Sequence, residues 1–242
     1  KAAAMRLCRK LLPVLGPSSP EGRAIAGAVA AADCRASTPL LYLQSRLGDS
    51  LGLDFSGYQA LLEQGEAAVF LDNLKTATPR VLKAVGVEYL LEQARQGESA
   101  NALHIATHFS NLMKVSENVV VRRLAGSALL EIAPQLSPPR RNEVAVELCE
   151  ALETGQSEIS QYIPRYLGRF LLWLSPRELD EVLDELLRFL SSSSADVAAA
   201  ALSTVGALLE HYSAYAGRFQ EPEDVRERGR RRMAGLLLKG LA

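Results

Sequence analysis

His104 and His108 stand four residues apart, so on a helix they share one face, one turn apart, as two imidazole ligands of a single transition metal would. Zinc chemistry of the protease kind also needs a glutamate directly after the first histidine, to act on metal-bound water. Ile105 holds that place, and the only other histidine, His211, is far along the chain. The pair therefore reads as helix-surface or inter-helix hydrogen-bonding groups, and neither a metal nor a cofactor is expected. A second set can do recognition chemistry: Arg122, Arg123, Arg165 and Arg169, with Tyr162 and Tyr166. Guanidinium forks and phenol rings combine planar contact area with directional hydrogen bonds, which favours both at binding surfaces. The expectation is a partner-binding stripe; the competing reading makes both tyrosines core.

Other charged clusters read as structural. The run Arg226-Glu227-Arg228-Gly229-Arg230-Arg231-Arg232 is the most basic in the chain, yet Glu221, Glu223, Asp224 and Glu227 lie beside or within it. No aromatic residue is interleaved, so a solvated face or an intramolecular salt network is expected rather than a phosphate site. Glu143, Glu147, Asp180, Glu181, Asp184 and Glu185 fall at exposed helical positions, with Asp184 and Arg188 spaced as an i,i+4 pair. General acid and base work would need an apolar cleft to part their pKa values. No phosphate-cradling glycine loop, nucleophile elbow or Cys/His arrangement occurs, so the chain is not expected to be an enzyme. Cys8, Cys34 and Cys149 are widely spaced and odd in number, which suits neither a zinc site nor a disulfide framework.

Composition sets the class of element that must position these residues. Lys plus Arg (27) nearly balance Asp plus Glu (28), so no whole-chain field attracts nucleic acid or anionic membrane. With 48% hydrophobic and only 6% aromatic residues, and Ala and Leu dominant, the chain suits close-packed helices and not a β-sandwich. The expected class is all-α. The longest apolar run, from Ala24 to Ala32, is too short for a bilayer span, and no membrane partner is expected. Free cysteines point to a cytoplasmic location.

One helical unit is written twice. Ser137-Pro138 through Leu152 lies over Ser175-Pro176 through Leu190 at an offset of 38 residues without a gap, a period typical of stacked helix pairs. Cys149 falls where the second copy has Leu187 and so reads as a small buried hydrophobe. Three pairs are predicted after residue 98. Their first helices run from about Ala100 to Lys114, from Ser137 to Leu152 and from Ser175 to Leu190. The second helices run from Glu117 to Leu136, capped by Ser116, from Glu158 to Leu174, and from Asp196 toward Tyr212. Leu103, Ala106, Phe109, Leu112 and Met113 are predicted to face inward, as are Val120, Leu124, Ala128, Ile132 and Leu136. A last helix with Val225, Met233, Leu236 and Leu237 on one side is expected to cap the stack. Residues 1–97 read as helical but irregular, with starts at Ser19-Pro20, Thr38-Pro39 and Thr78-Pro79. Gly48, Gly52, Gly57 and Gly65 are expected to break the segment from Leu40 to Leu74, with Leu61, Leu62, Val69, Phe70 and Leu74 inward, and Gly86 to interrupt the helix after Pro79. The two regions, 1–97 and 98–242, are expected to form one continuous domain.

The 38-residue period, the Ser-Pro starts and the segment Val121-Arg122-Arg123-Leu124-Ala125 resemble the HEAT-repeat family over about Ala100 to Tyr212. The resemblance implies a right-handed α-α superhelix of stacked antiparallel helix pairs, with second helices on the concave face. It also implies a ladder between an acidic or amide residue and an arginine of each second helix. Asn118 with Arg122 fits that ladder, whereas the later repeats carry Glu158 and Asp196 without the arginine. HEAT stacks serve as scaffolds, transport receptors, regulatory subunits and occasionally enzymes, so the family implies little about ligand. The expected function is a non-catalytic interaction module, binding a protein partner or a neighbouring domain of its own longer chain. Two alternatives are a nucleic-acid-binding or DNA-repair module of the same fold, and the helical regulatory region of a nucleotidyltransferase-like enzyme. The expectation of a longer chain rests on Lys1, which already sits inside a helical pattern with Ala2, Met5, Leu7 and Leu11.

Overall fold

Hydroxyl caps and prolines set where the helices begin, and buried stripes decide which faces meet. The computed structural model describes residues 1–34, 38–51, 80–96, 99–154, 161–220 and 222–240, and every regular element among them is helical. None of the described helices is long and apolar enough to cross a membrane. The chain divides into two compact units, Lys1–Gln93 and Ala94–Ala242.

The first unit holds α1 (Ala2–Leu15), α2 (Pro20–Ala30), α3 (Thr38–Leu51) and most of α4 (Arg80–Gln96). Ser19 caps α2 by accepting from the Gly22 amide at 2.9 Å, with Pro20 at the first helical position. Gly16, at φ 81°, supplies the left-handed residue that ends α1. Helix α3 starts at Thr38-Pro39; Thr78-Pro79 lies outside the described residues, as do Gly52, Gly57, Gly65 and the inward set from Leu61 to Leu74. Gly48 and Gly86 do not break their helices. Each is buried, and burial of Leu47, Val85 and Val87 around them outweighs a propensity cost of about 1 kcal/mol per glycine. The Gln44 side-chain amide donates to the carbonyls of Val29 at 2.7 Å and Ala32 at 2.9 Å, satisfying the open end of α2.

The second unit contains α5 (Ser99–Val115), α6 (Val119–Ile132), α7 (Pro138–Thr154), α8 (Ile163–Phe170), α9 (Pro176–Leu190), α10 (Ala195–Arg218) and α11 (Glu223–Lys239). The first helices α5, α7 and α9 touch in that order, and so do the second helices α6, α8 and α10; α5 also packs on α6, and α9 on α10. The 38-residue period is visible in the backbone. Short 3-10 helices at Ala133–Gln135 and Leu171–Trp173 occupy matching positions, each followed by an extended leucine, Leu136 or Leu174, and then Ser-Pro. Ser175 completes a capping box with Glu178, whose carboxylate accepts from the Ser175 amide at 2.8 Å.

The first helices keep a slightly different register. Ile105, Phe109 and Leu112 match Val144, Leu148 and Ala151 at 39 residues, and these match Val182, Leu186 and Phe189 at 38; all nine are buried. Ser110 thereby takes the buried place of Cys149. The Cys149 thiol behaves as the hydrophobe the repeat implied, and burial pushes it up to about 12.

Several boundaries depart from the periodic reading. Asn118, not Ser116, caps α6, its Oδ1 accepting from the amides of Val120 at 3.0 Å and Val121 at 3.3 Å. The α6 core stripe is Val121, Ala125, Ala128, Leu129 and Ile132, whereas Val120 is exposed and Leu124 half-buried. Gln161 and Tyr162 form a turn, and α8 begins at Ile163, because Pro164 fits only the first turn of a helix. The stretch 155–160, which includes Glu158, lies outside the described residues. In α11, Met233 and Leu236 are buried and Val225 and Leu237 half-buried.

Candidate functional site

The outward positions of the second helices follow from the same register that buries their cores. Ala125, Ile163 and Ala201 align at 38-residue steps and are buried, as are Ile132, Phe170 and Leu208. Asn118 and Ser194, the caps of α6 and α10, stand two periods apart; Ser194 accepts from the Val197 amide at 3.4 Å. Opposite the core, Arg123, Ser127 and Glu131 of α6 align with Gln161, Arg165 and Arg169 of the next repeat and with Ala199, Ser203 and Ala207 of α10. All are exposed except Ala207, which is half-buried. Helix α8 touches both α6 and α10.

The six residues of the expected stripe divide in two. Arg122 is only 4% exposed; its Nε donates to the Ser116 carbonyl and its guanidinium sits 5.4 Å from the centre of the Tyr162 ring. It is a structural cation inside the fold, while the Asn118 Oδ1 caps α6. Tyr166 is buried between α6 and α8, where its ring covers Gly126 and its hydroxyl donates to the Arg123 carbonyl at 3.3 Å. Tyr162 is half-buried, its ring packed on the Arg122 guanidinium. Burial thus takes Arg122 and Tyr166 off the exposed surface. A helix turns about 100° per residue, so adjacent Arg122 and Arg123 must point differently, one inward and one out.

Arg123, Arg165 and Arg169 remain on the surface, and among the described residues none has an ion-pair or hydrogen-bond partner for its side chain. Other arginines of this unit are engaged. Arg95 pairs with Glu131, Arg140 with Glu143, Arg177 with Glu181 and Arg188 with Glu185. The last of these replaces the expected Asp184–Arg188 pair, since Asp184 is taken by Arg232 at 2.6 Å. The basic run of α11 is paired throughout: Arg226 with Glu223, Arg228 with Asp224, Arg230 with Glu223 and Glu227, Arg231 with Glu227, and Arg232 with Asp180 and Asp184. Arg232 thus ties α11 to α9, and Gly229 lets the Tyr212 hydroxyl approach α11 closely, since a Cβ there would stand 2.0 Å from it. The carboxylates Glu143, Glu147, Asp180, Glu181, Asp184 and Glu185 all have cationic partners.

His104 is exposed while His108 is largely buried on the same helix, so the two imidazoles do not present a joint ligand face. Among the described residues no group of three or more His, Cys, Asp or Glu could hold a metal ion. The His108 Nε2 is buried without a hydrogen-bond partner, and desolvation lowers its pKa from 6.5 to about 4. A depressed pKa means that the unfolded chain takes up a proton more readily. Stability is therefore full above pH 6.5 and falls as the pH drops toward 4, by on the order of 2 kcal/mol given the residual solvent access. Urea titrations at pH 7.5 and 4.5 check this: His108→Gln is expected to flatten the pH dependence relative to the parent chain.

Reading the sequence for charged pairs missed Ser127, Ser203 and Ala207 as members of the face; applying the 38-residue register to outward positions recovers them. Also missed was Arg141, whose guanidinium donates to the carbonyls of Ala133, Pro134 and Trp173 and so joins two successive repeats. Comparisons with protein-family models, with curated proteins and with solved structures find no match to this chain.

Proposed function

We propose that this chain is a non-catalytic α-solenoid module, a right-handed stack of HEAT-like helix pairs that binds a protein partner or a neighbouring domain of its own chain. The contact surface is the outward face of α6, α8 and α10. One observation carries this reading: among the described residues Arg123, Arg165 and Arg169 have no side-chain partner, whereas Arg95, Arg140, Arg177 and Arg188 are ion-paired and Arg122, Arg141 and Arg218 are engaged by carbonyls and aromatic rings. An unpaired guanidinium keeps its full hydrogen-bonding capacity for a ligand, and arginine is favoured at interface centres. The ordered neighbour contacts of first and second helices, and the recurring 3-10 turn, support the stacked architecture.

The reading is tested by placing a photo-crosslinking amino acid at Ser127, at Ser203 and, as the control, at Arg177 on α9, then irradiating cells of the native host. Defined adducts to one protein, or to another domain of the same chain, are expected from Ser127 and Ser203 and not from Arg177. Equal labelling from all three positions, or adducts from Arg177 alone, refutes the assignment of this face.

A further inference from the structure

The chemistry of the arginine face also specifies what it receives. Resting on the reading just given, we infer that the partner contributes an acidic helix, with carboxylates one turn apart, seated along the line between α8 and α10. Arg165 and Arg169 are i and i+4 on α8, so their side chains leave the helix about 6 Å apart. Carboxylates at i and i+4 of a second helix have the same spacing and can meet both forks at once. Arg123 extends the cationic edge from α6, whose backbone is held against α8 by the Tyr166 hydroxyl.

The neighbouring helix supplies the floor. α10 offers Ser203 and Ala207 at the positions that hold Arg165 and Arg169 on α8, with Ala199 one turn earlier, and a Cβ at Gly206 would meet nothing within 4 Å. Small side chains there leave room for a helix backbone to lie close, with its own small or apolar residues toward α10 and its carboxylates toward α8. Gly168 brings α8 and α10 into direct backbone contact, so the two halves of the surface are fixed relative to each other. Charge excludes the other polyanion. A nucleic-acid surface gains from many cations and from free aromatic platforms. Here three arginines face outward, the half-buried Tyr162 ring is already occupied by the buried Arg122 guanidinium, and Trp173 is covered by Arg218 at 3.9 Å.

The test uses the 242-residue chain and three fluorescent probes. One is a helical peptide with glutamates at i, i+4 and i+8 and alanines along the adjacent stripe; the second has the same composition scrambled; the third is a 20-base-pair DNA duplex. Anisotropy titrations at 50 mM and 300 mM salt should show the striped peptide binding at least tenfold tighter than the scrambled one, and more weakly at high salt. Arg165→Gln with Arg169→Gln should reduce that binding at least tenfold, while circular dichroism and melting stay unchanged because neither side chain supports the fold. Arg177→Gln, on the opposite helix layer, should leave it intact. Equal binding of both peptides, tighter binding of the duplex, or no binding at 50 mM salt overturns the inference. Crosslinks from Ser127 and Ser203 to a partner segment that is not acidic would also overturn it while leaving the choice of face standing. Absence of face-specific crosslinks would remove both.

Discussion

Gly168→Ala is expected to destabilise the second unit by about 2 kcal/mol, and Gly168→Val to prevent its folding. A Cβ at this position would stand 2.5 Å from the Thr204 carbonyl oxygen, 2.7 Å from the Ala207 Cβ and 2.9 Å from the Leu208 amide nitrogen. Two of these three atoms are backbone, so no rotamer change relieves the clash; α8 must lift away from α10. Lifting it opens the contacts of Leu167 and Phe170, which are fully buried, and dispersion falls off within the first ångström of separation. The opposing term is the helix propensity gained on replacing glycine, about 1 kcal/mol; overpacking against backbone exceeds it. Gly206→Ala provides the internal control, since it lies on α10 with nothing within 4 Å of its added Cβ. There only the propensity gain operates, and stability should rise by about 0.5–1 kcal/mol. Urea midpoints of the two variants are expected to move in opposite directions. A neutral Gly168→Ala would mean that the two helices do not cross at this residue.

The same pair of helices illustrates what sequence reading reaches. The 38-residue period was legible because its carriers are local: Ser-Pro starts, a capping glutamate at Glu178, and leucines and valines at helical spacing. Asn118 as a cap was hidden by Ser116, an equally good capping residue two positions earlier, and only the helix start decides between them. The one-residue shift between the first two first helices was obscured because polar Ser110 stands at the buried place of Cys149. Helices broken on paper at Gly48 and Gly86 persist because tertiary burial overrides a local preference.

At the candidate face the limit was directional. Spacing put four arginines and two tyrosines in one set, but Tyr166 is core only because Gly126, forty residues earlier, leaves space for its ring. Arg122 is internal only because the Ser116 carbonyl and Tyr162 receive it. Both are long-range complementarities that spacing does not encode. That Arg123, Arg165 and Arg169 have no partner among the described residues is likewise a property of three-dimensional neighbours, and it is the property on which the functional reading depends.

Arg141→Met is expected to destabilise the second unit by about 2–3 kcal/mol, the cost of leaving several carbonyls without donors. The side chain donates from Nε to the Ala133 carbonyl at 2.9 Å, from Nη2 to Pro134 at 2.9 Å and from Nη1 to Trp173 at 3.2 Å. These carbonyls belong to two 3-10 turns one repeat apart, where the preceding helices end and leave acceptors unmatched. A cation also suits the negative end of each helix dipole. Burial and nearby Arg218 hold the Arg141 pKa below the ordinary arginine range, yet a guanidinium remains charged at any accessible pH. Arg141→Lys should recover less than half the loss, because a point charge cannot reproduce the planar fork across three acceptors. Trp173, the only tryptophan, lies between the two guanidiniums, 5.8 Å from Arg141 and 3.9 Å from Arg218, so its emission reports the site directly. Red-shifted emission and a lower urea midpoint are expected together for Arg141→Met. Arg218→Met should shift emission with a stability loss under about 1 kcal/mol, since that side chain is exposed. The repeat supplies one further comparison. Leu179 occupies the register of Arg141 in the next helix pair, where an apolar side chain is buried instead. Arg141→Leu would copy that solution, but the carbonyls of Ala133, Pro134 and Trp173 would still lack donors, and it should be no more stable than Arg141→Met. Parental stability in Arg141→Leu would mean that water satisfies those carbonyls and that the arginine does not join the repeats.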